Sequence, residues 1–164
     1  LSRAVEAYPA SAVALMRLGL LRELQGQFPE AERLYRAAVE AQPEHADAHF
    51  FLGRFLSASG RAEPAVSSLE TALALGADGA VLRSTLAQAL LSSGRSEDAA
   101  RLARSALDLD PESEPALAVL EAASRELGRT AEADAAAGRL RDVRAVEPET
   151  PPGSVDERAV GSPD

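Results

Sequence analysis

The amino-acid sequence predicts an all-α protein, built as a right-handed α-solenoid of antiparallel helix pairs. Apolar residues recur at helical spacing between Ser11 and Val143, interrupted by short glycine-containing turns. Three residue types also repeat at intervals of 34 residues: Gly26, Gly60, Gly94 and Gly128; Leu18, Leu52, Leu86 and Leu120; Ala31, Ala65, Ala99 and Ala133. A fixed interval of roughly 20–50 residues is typical of stacked supersecondary units, and about 34 residues accommodate a pair of helices.

This periodicity predicts two helices in each repeat. The first helices are expected near residues 11–24, 46–58, 80–92 and 114–127, and the second helices near 29–41, 62–75, 97–109 and 131–143. The repeating glycines follow the first helices, where a left-handed residue lets the chain reverse. Pro29 and Pro64 lie in opening turns of second helices, where the missing N–H costs nothing. Ser96, Ser113 and Thr130 are the predicted side-chain caps.

The repeating columns resemble those of the tetratricopeptide repeat family. The Leu-Gly pair of the family is matched by Leu18-Gly19, Leu52-Gly53 and Leu86-Ala87, its Ala-x3-Phe column by Ala31 with Tyr35 and Ala65 with Leu69, and its closing proline by Pro43 and Pro111. The resemblance extends over residues 11–143 as four repeats, 12–45, 46–79, 80–113 and 114–143. It implies a superhelix of stacked helix pairs.

The two ends of the chain depart from this pattern. Residues 1–10 are predicted to be the second helix of a truncated preceding repeat, because Ala4 and Pro9 are in register with Ala38 and Pro43. Residues 144–164 combine prolines, glycines and acids without hydrophobic periodicity, which predicts a disordered, acidic, proline-rich tail. Because the chain begins with Leu1, a fragment of a longer, bacterial-type protein is the favoured interpretation, and the sequence does not indicate a compartment.

Two substitutions in the fourth repeat predict that the array ends there. Glu121 takes the position of Gly19 and Gly53, and Leu140 takes the position of Ala38. Because a leucine at that position would obstruct a further repeat, the fourth repeat is predicted to be an atypical C-terminal cap.

Composition argues against several classes of function. The net charge of -9 and the pI near 4.8 argue against nucleic acid, which requires a clustered basic face, and against anionic membrane surfaces. The chain has no lysine, so neither a Walker A site nor a lysine Schiff base can form. It has no cysteine either, so disulfide and thiolate sites are excluded. No cofactor is predicted.

Catalysis is not predicted. The only histidines, His45 and His49, are four residues apart on one helical face, a spacing that suits a metal ion, but no third ligand is evident. One packing histidine and one surface histidine are the favoured interpretation. No oriented base is evident beside a nucleophile, so the chain is predicted not to be an enzyme. The alternatives are an accessory segment of a larger enzyme whose catalytic domain lies upstream, and self-association through residues 1–9.

The resemblance implies that the first helices line a concave groove, which binds an extended peptide or a helix of another protein. By register, the candidate groove residues are Val13, Met16, Arg17, Leu20, Asp47, Phe50, Arg54, Ser84 and Gln88. Neighbouring residues on a helix point about 100° apart, so Phe50 is assigned to the groove, whereas Phe51 and Phe55 are assigned to the core.

One well-known ligand of the family is not expected here. Co-chaperone members bind the C-terminal carboxylate of heat-shock chaperones with lysine or arginine and asparagine on successive first helices. Those positions hold Met16, Leu20, Phe51, Val81 and Thr85, and the chain contains no asparagine. The sequence therefore predicts a scaffold that binds a protein or peptide through apolar side chains and Arg54.

Overall fold

The computed structural model describes residues 11–145, and this range contains eight helices and no strand. The helices are α1 (Ala12–Leu24), α2 (Phe28–Ala41), α3 (Ala46–Ala58), α4 (Ala62–Ala74), α5 (Ala80–Ser92), α6 (Ser96–Leu109), α7 (Glu114–Glu126) and α8 (Thr130–Ala145). Odd-numbered helices are the first of each repeat and even-numbered helices the second. The predicted all-α solenoid of helix pairs is confirmed. The prediction for residues 1–10 and most of the predicted tail lie outside the described residues, although Arg144 and Ala145 still belong to α8.

The helices are arranged in two layers. Each first helix contacts its own second helix and the first helix of the next repeat, and each second helix also contacts the next first helix. No two second helices pack directly on each other within residues 11–145. Because the first helices are the more closely spaced layer, they form the inner, concave side of the stack.

Side-chain sizes on the two helices of a repeat compensate each other. A Cβ on Gly19 would lie 2.7 Å from the ring of Tyr35, and a Cβ on Gly53 would lie 2.6 Å from Cγ of Leu69. In the third and fourth repeats the same register positions hold Ala87 with Ala103, and Glu121 with Ala137. The first-helix residue therefore grows as its second-helix counterpart shrinks, and the side chain of Glu121 extends to an ion pair with Arg125 at 2.7 Å.

The predicted left-handed glycines are confirmed. Gly26, Gly60, Gly94 and Gly128 have φ angles between 71° and 80°. At each of them the following N–H bonds to the carbonyl five residues earlier, as from Gln27 to Arg22 at 2.8 Å, which closes the helix with a Schellman motif. Gly76 (φ 92°) closes α4 in the same way, a turn that lies outside the 34-residue register of glycines and was not predicted.

The predicted side-chain caps are wrong for both serines, Ser96 and Ser113. Ser96 is the first residue of α6 rather than its cap, and its hydroxyl donates a hydrogen bond to Glu126 of the next repeat. The N-cap position is taken by Arg95, one residue earlier than a cap by Ser96 requires. Ser113 does occupy the cap position of α7, but without a side-chain cap bond.

Ion pairs connect the second-helix layer. Arginines that directly follow the turn glycines reach an acid on the second helix of the preceding repeat: Arg61 with Glu32 at 2.6 Å, Arg95 with Glu70 at 3.6 Å, and Arg129 with Glu97 at 2.7 Å. Each pair is partly exposed, so its contribution is small, about 0–1 kcal/mol. The pairs nevertheless link second helices that share no direct packing. Within residues 11–145 no helix combines the length and apolarity needed to cross a membrane.

Candidate functional site

Among residues 11–145, one cavity lies along the first-helix layer in the N-terminal half of the array and another lies further towards its C-terminal end. The N-terminal cavity has a volume of about 230 Å³ and is lined by Val13, Met16, Arg17, Leu20, His45, Asp47 and Phe51. The C-terminal cavity has a volume of about 530 Å³ and is lined by Arg54, Ser57, Ala58, Val81, Ser84, Thr85, Gln88, Asp110, Glu112, Ser113, Glu114 and Pro115. Both cavities expose mainly apolar surface, but polar and acidic residue types are more frequent in the lining of the second.

The N-terminal cavity is built by the packing of the first two repeats. Gly19 allows the ring of Tyr35 to approach α1 closely, and Tyr35 is fully buried. The Tyr35 ring stacks on Phe51 with the centroids 6.1 Å apart, and it contacts Phe55 at 5.6 Å. The Tyr35 ring therefore supports the Phe51 side chain from the core, and Phe51 also lines the cavity. The small residue at position 19 therefore determines where an apolar wall of the groove stands.

A polar cluster lies between the two cavities. The Glu23 carboxylate accepts hydrogen bonds from the Tyr35 hydroxyl and the Arg54 guanidinium, both at 2.7 Å. Burial raises the pKa of Tyr35 well above its ordinary value, and the nearby Glu23 carboxylate raises it further, so Tyr35 remains a neutral donor. Arg54 also lies 5.8 Å from the centre of the Phe51 ring. Arg54 is therefore already ion-paired within the protein, although its side chain remains partly exposed.

Arg17 differs from Arg54 in this respect. It is exposed on the rim of the N-terminal cavity, and no acidic side chain pairs with it among residues 11–145. Asp47 lines the same cavity from α3. This half of the groove therefore combines an apolar floor with one basic and one acidic rim residue.

Eight of the nine residues predicted for the groove line one of the cavities. Val13, Met16, Arg17, Leu20 and Asp47 line the N-terminal cavity, and Arg54, Ser84 and Gln88 line the C-terminal cavity. Met16 and Ser84 are largely buried and contribute to the floor. Phe50 lines neither cavity; it packs partly buried against the core and edge-on against Phe51, with the ring centroids 5.7 Å apart.

Both phenylalanines are partly buried against the core, so the predicted division between a groove residue and a core residue is not seen. Phe51 forms a cavity wall, Phe50 does not, and Phe55 is in the core as predicted. Sequence reasoning also missed His45 and the turn from Asp110 to Ser113, which lie outside the helices to which the groove was assigned. Their position in the sequence could have identified them, because both directly precede a first helix that borders the groove.

The histidines take separate roles. His49 Nε2 donates a hydrogen bond to the carbonyl of Pro43 at 2.8 Å, which fastens the turn between the first two repeats. His45 is the N-cap residue of α3 and lines the N-terminal cavity. Among residues 11–145 no three histidine or acidic side chains are grouped closely enough to hold a metal ion.

Comparison with known proteins identifies one family in part of the sequence. Residues 23–89 match the sequence model of the tetratricopeptide repeat family. No curated protein matches the sequence. Among solved structures, the fold is similar to that of YrrB, described as a TPR protein with an unusual peptide-binding site, with 18% identity, a TM-score of 0.76, and coverage of 88% of this chain and 74% of that chain. It is also similar to MamA, with 19% identity, a TM-score of 0.77, and coverage of 88% and 84%.

A further MamA structure, from Desulfovibrio magneticus RS-1, gives 21% identity and a TM-score of 0.69 over 82% of this chain and 75% of that chain. At identities this low, the structural similarity shows a shared fold and nothing more. The family match over 23–89, the columns repeating every 34 residues and the stacked helix pairs agree with one another. The chain therefore contains tetratricopeptide repeats at residues 23–89, within a solenoid of stacked helix pairs.

Proposed function

We propose that this protein is a non-enzymatic scaffold that binds a peptide or helix of another protein in its concave groove. The observation that supports the proposal is the N-terminal cavity, an apolar recess on the inner surface with the exposed Arg17 and Asp47 at its rim. Its volume of about 230 Å³ is smaller than the roughly 300–1,000 Å³ typical of small-molecule sites, and it suits one or two apolar side chains of a partner. A structural neighbour described as having a peptide-binding site adds support by analogy of fold.

The anchor of the partner is an apolar side chain. Val13, Leu20 and Phe51 contribute apolar surface to the recess, and the buried Met16 forms its floor. Burial of one large apolar side chain contributes about 1.5–3 kcal/mol. Loss of that contact would weaken binding about tenfold to hundredfold.

The partner is not a chaperone C-terminus in this proposal. A carboxylate clamp requires basic and amide side chains on successive first helices, whereas Met16, Phe51 and Val81 occupy such positions. Arg54, the nearest arginine in the middle of the groove, already pairs with Glu23. Internal residues of a partner segment are therefore the proposed ligand.

Selection of peptides from a displayed random library tests the proposal. Peptides selected by the full chain should carry an apolar residue and should lose affinity by about tenfold or more when Val13→Asp or Leu20→Asp places a charge in the recess. Leu109→Asp is the matched control, because Leu109 is an exposed apolar residue on a second helix, outside both cavities.

Amidation of the peptide C-terminus should leave affinity unchanged. Failure to select any peptide, or an equal loss with the Leu109 control, would contradict the groove assignment. A large loss on amidation would show that a carboxylate is the ligand after all.

A further inference from the structure

Helix α1 presents an apolar face that the other first helices bury. Leu21 is 47% exposed, whereas its counterparts at 34-residue intervals, Phe55, Ala89 and Ala123, are buried. Ala14 is exposed, whereas Ala48, Leu82 and Ala116 are buried. The face is defined here by Ala14 and Leu21. It differs from its counterparts in one respect: no second helix of a preceding repeat lies against it within the described residues.

The second repeat shows what covers such a face. Tyr35 of α2 contacts Phe55, and Ala38 belongs to one buried cluster with Ala48. Both of these α2 residues are fully buried. A covering helix therefore needs an apolar residue at the position of Tyr35 and an alanine at the position of Ala38.

Residues of this kind stand directly before α1. In the 34-residue register, Leu1 corresponds to Tyr35, Ala4 to Ala38, Val5 to Val39 and Pro9 to Pro43. We propose that residues 1–9 pack against Ala14 and Leu21 as a helix that ends before Pro9. The segment then supplies the second helix of an incomplete preceding repeat and shields the N-terminal end of the core.

The other end of the array does not offer a suitable apolar surface in a second copy. On α8, exposed Asp134 and Arg141 take the positions at which α6 has the buried Ala100 and Leu107. Head-to-tail stacking would bring these charges against Leu21, at the cost of desolvating them. The segment of the same chain is therefore favoured over a second copy.

Cysteine labelling tests this packing cleanly, because the chain has no native cysteine. In the full chain, Leu21→Cys should react with a thiol reagent about tenfold or more slowly than Leu24→Cys, since a covered side chain reacts only after local opening. Leu24 is the matched control: it is 78% exposed, and its register counterparts Ala58, Ser92 and Glu126 are exposed as well. Ala14→Cys serves as a second reporter if Leu21→Cys fails to fold.

Introducing Leu1→Asp and Ala4→Asp into the Leu21→Cys chain should remove the protection while the helical circular dichroism is retained. Equal labelling rates for the Leu21→Cys and Leu24→Cys chains would overturn the proposal. Protection that disappears on dilution, together with a dimer mass from light scattering, would also overturn it and would assign the cover to a second copy. Protection that is independent of concentration in a monomer is the expected result.

Discussion

Replacement of Gly53 by alanine is expected to force apart the two helices of the second repeat. The added Cβ would lie 2.6 Å from Cγ of Leu69 and 3.2 Å from the carbonyl oxygen of Ala65. The second of these atoms belongs to backbone, so a side-chain rotation of Leu69 alone cannot relieve both contacts. The helices α3 and α4 must separate, or Leu69 must leave its preferred rotamer.

The magnitude follows from two opposing effects. Overpacking of this kind costs about 1–3 kcal/mol, whereas alanine is favoured over glycine inside a helix by about 1 kcal/mol. Gly138→Ala in α8 isolates the second effect, because the nearest atom to its added Cβ is a terminal nitrogen of Arg141 at 3.9 Å. Gly138→Ala should therefore raise the free energy of unfolding, and the difference between the two variants should be about 1–3 kcal/mol.

Urea unfolding followed by far-ultraviolet circular dichroism measures this difference. A second comparison uses Leu69→Ala, which alone should cost about 2–5 kcal/mol. In the Gly53→Ala chain, Leu69→Ala also removes the side chain that the new Cβ would contact. The double variant then has the same pair of residues as Ala87 and Ala103 in the third repeat. The cost of Leu69→Ala in that chain should be smaller by about 1–3 kcal/mol. Equal midpoint shifts for the two glycine variants, or strictly additive costs, would refute the packing argument.

Two further predictions concern a turn and an ion pair. Gly94→Ala should lower the free energy of unfolding by about 1–2 kcal/mol, since Gly94 has a φ of 80° with no atom within 4 Å of an added Cβ; Gly94→Asn should cost less in the same urea titration. The Arg104 guanidinium lowers the pKa of Glu132 from 4.5 to about 2, against an opposing effect of burial, so this stabilisation is present above pH 4.5 and is lost as the pH falls towards 2. Glu132→Gln should flatten the stability profile in that window, whereas Glu40→Gln, on an exposed carboxylate, should not.

The helices and their order could be predicted because the same local rules recur in every repeat. A left-handed glycine follows each first helix, and the apolar columns lie on one face, so four repetitions average out the ambiguity of any single segment. The side-chain caps could not be predicted in this way. Ser96 bonds to Glu126, a residue 30 positions away on the next repeat, and no local pattern records that contact.

The groove was predictable to the level of a helix face but not of each side chain. Register identifies which face of a first helix is concave, and eight of the predicted residues do line a cavity. The position of Phe51 at the cavity wall depends on where the Tyr35 ring lies, and Tyr35 is on the preceding repeat. The pairing of Arg54 with Glu23 joins residues 31 positions apart in the same way. Both features arise from contacts between repeats, which a column of equivalent positions cannot reveal.

The same contacts between repeats connect the packing of the array to its proposed binding site. Tyr35 can occupy the interior only because Gly19 has no side chain, and its ring then supports Phe51 from one side. Its hydroxyl holds Glu23, which in turn holds Arg54 over the Phe51 ring.

Phe51 is therefore fixed between a buried ring and a paired guanidinium, which makes the apolar wall of the N-terminal cavity a pre-organised surface. Pre-organisation of this kind lowers the entropic cost of ordering side chains when a partner binds. In the third repeat, Ala87 and Ala103 replace the glycine and the tyrosine, and no aromatic side chain lines the adjoining C-terminal cavity. The apolar anchor of a partner should therefore bind beside the first two repeats, where the helix packing itself holds a large side chain at the surface.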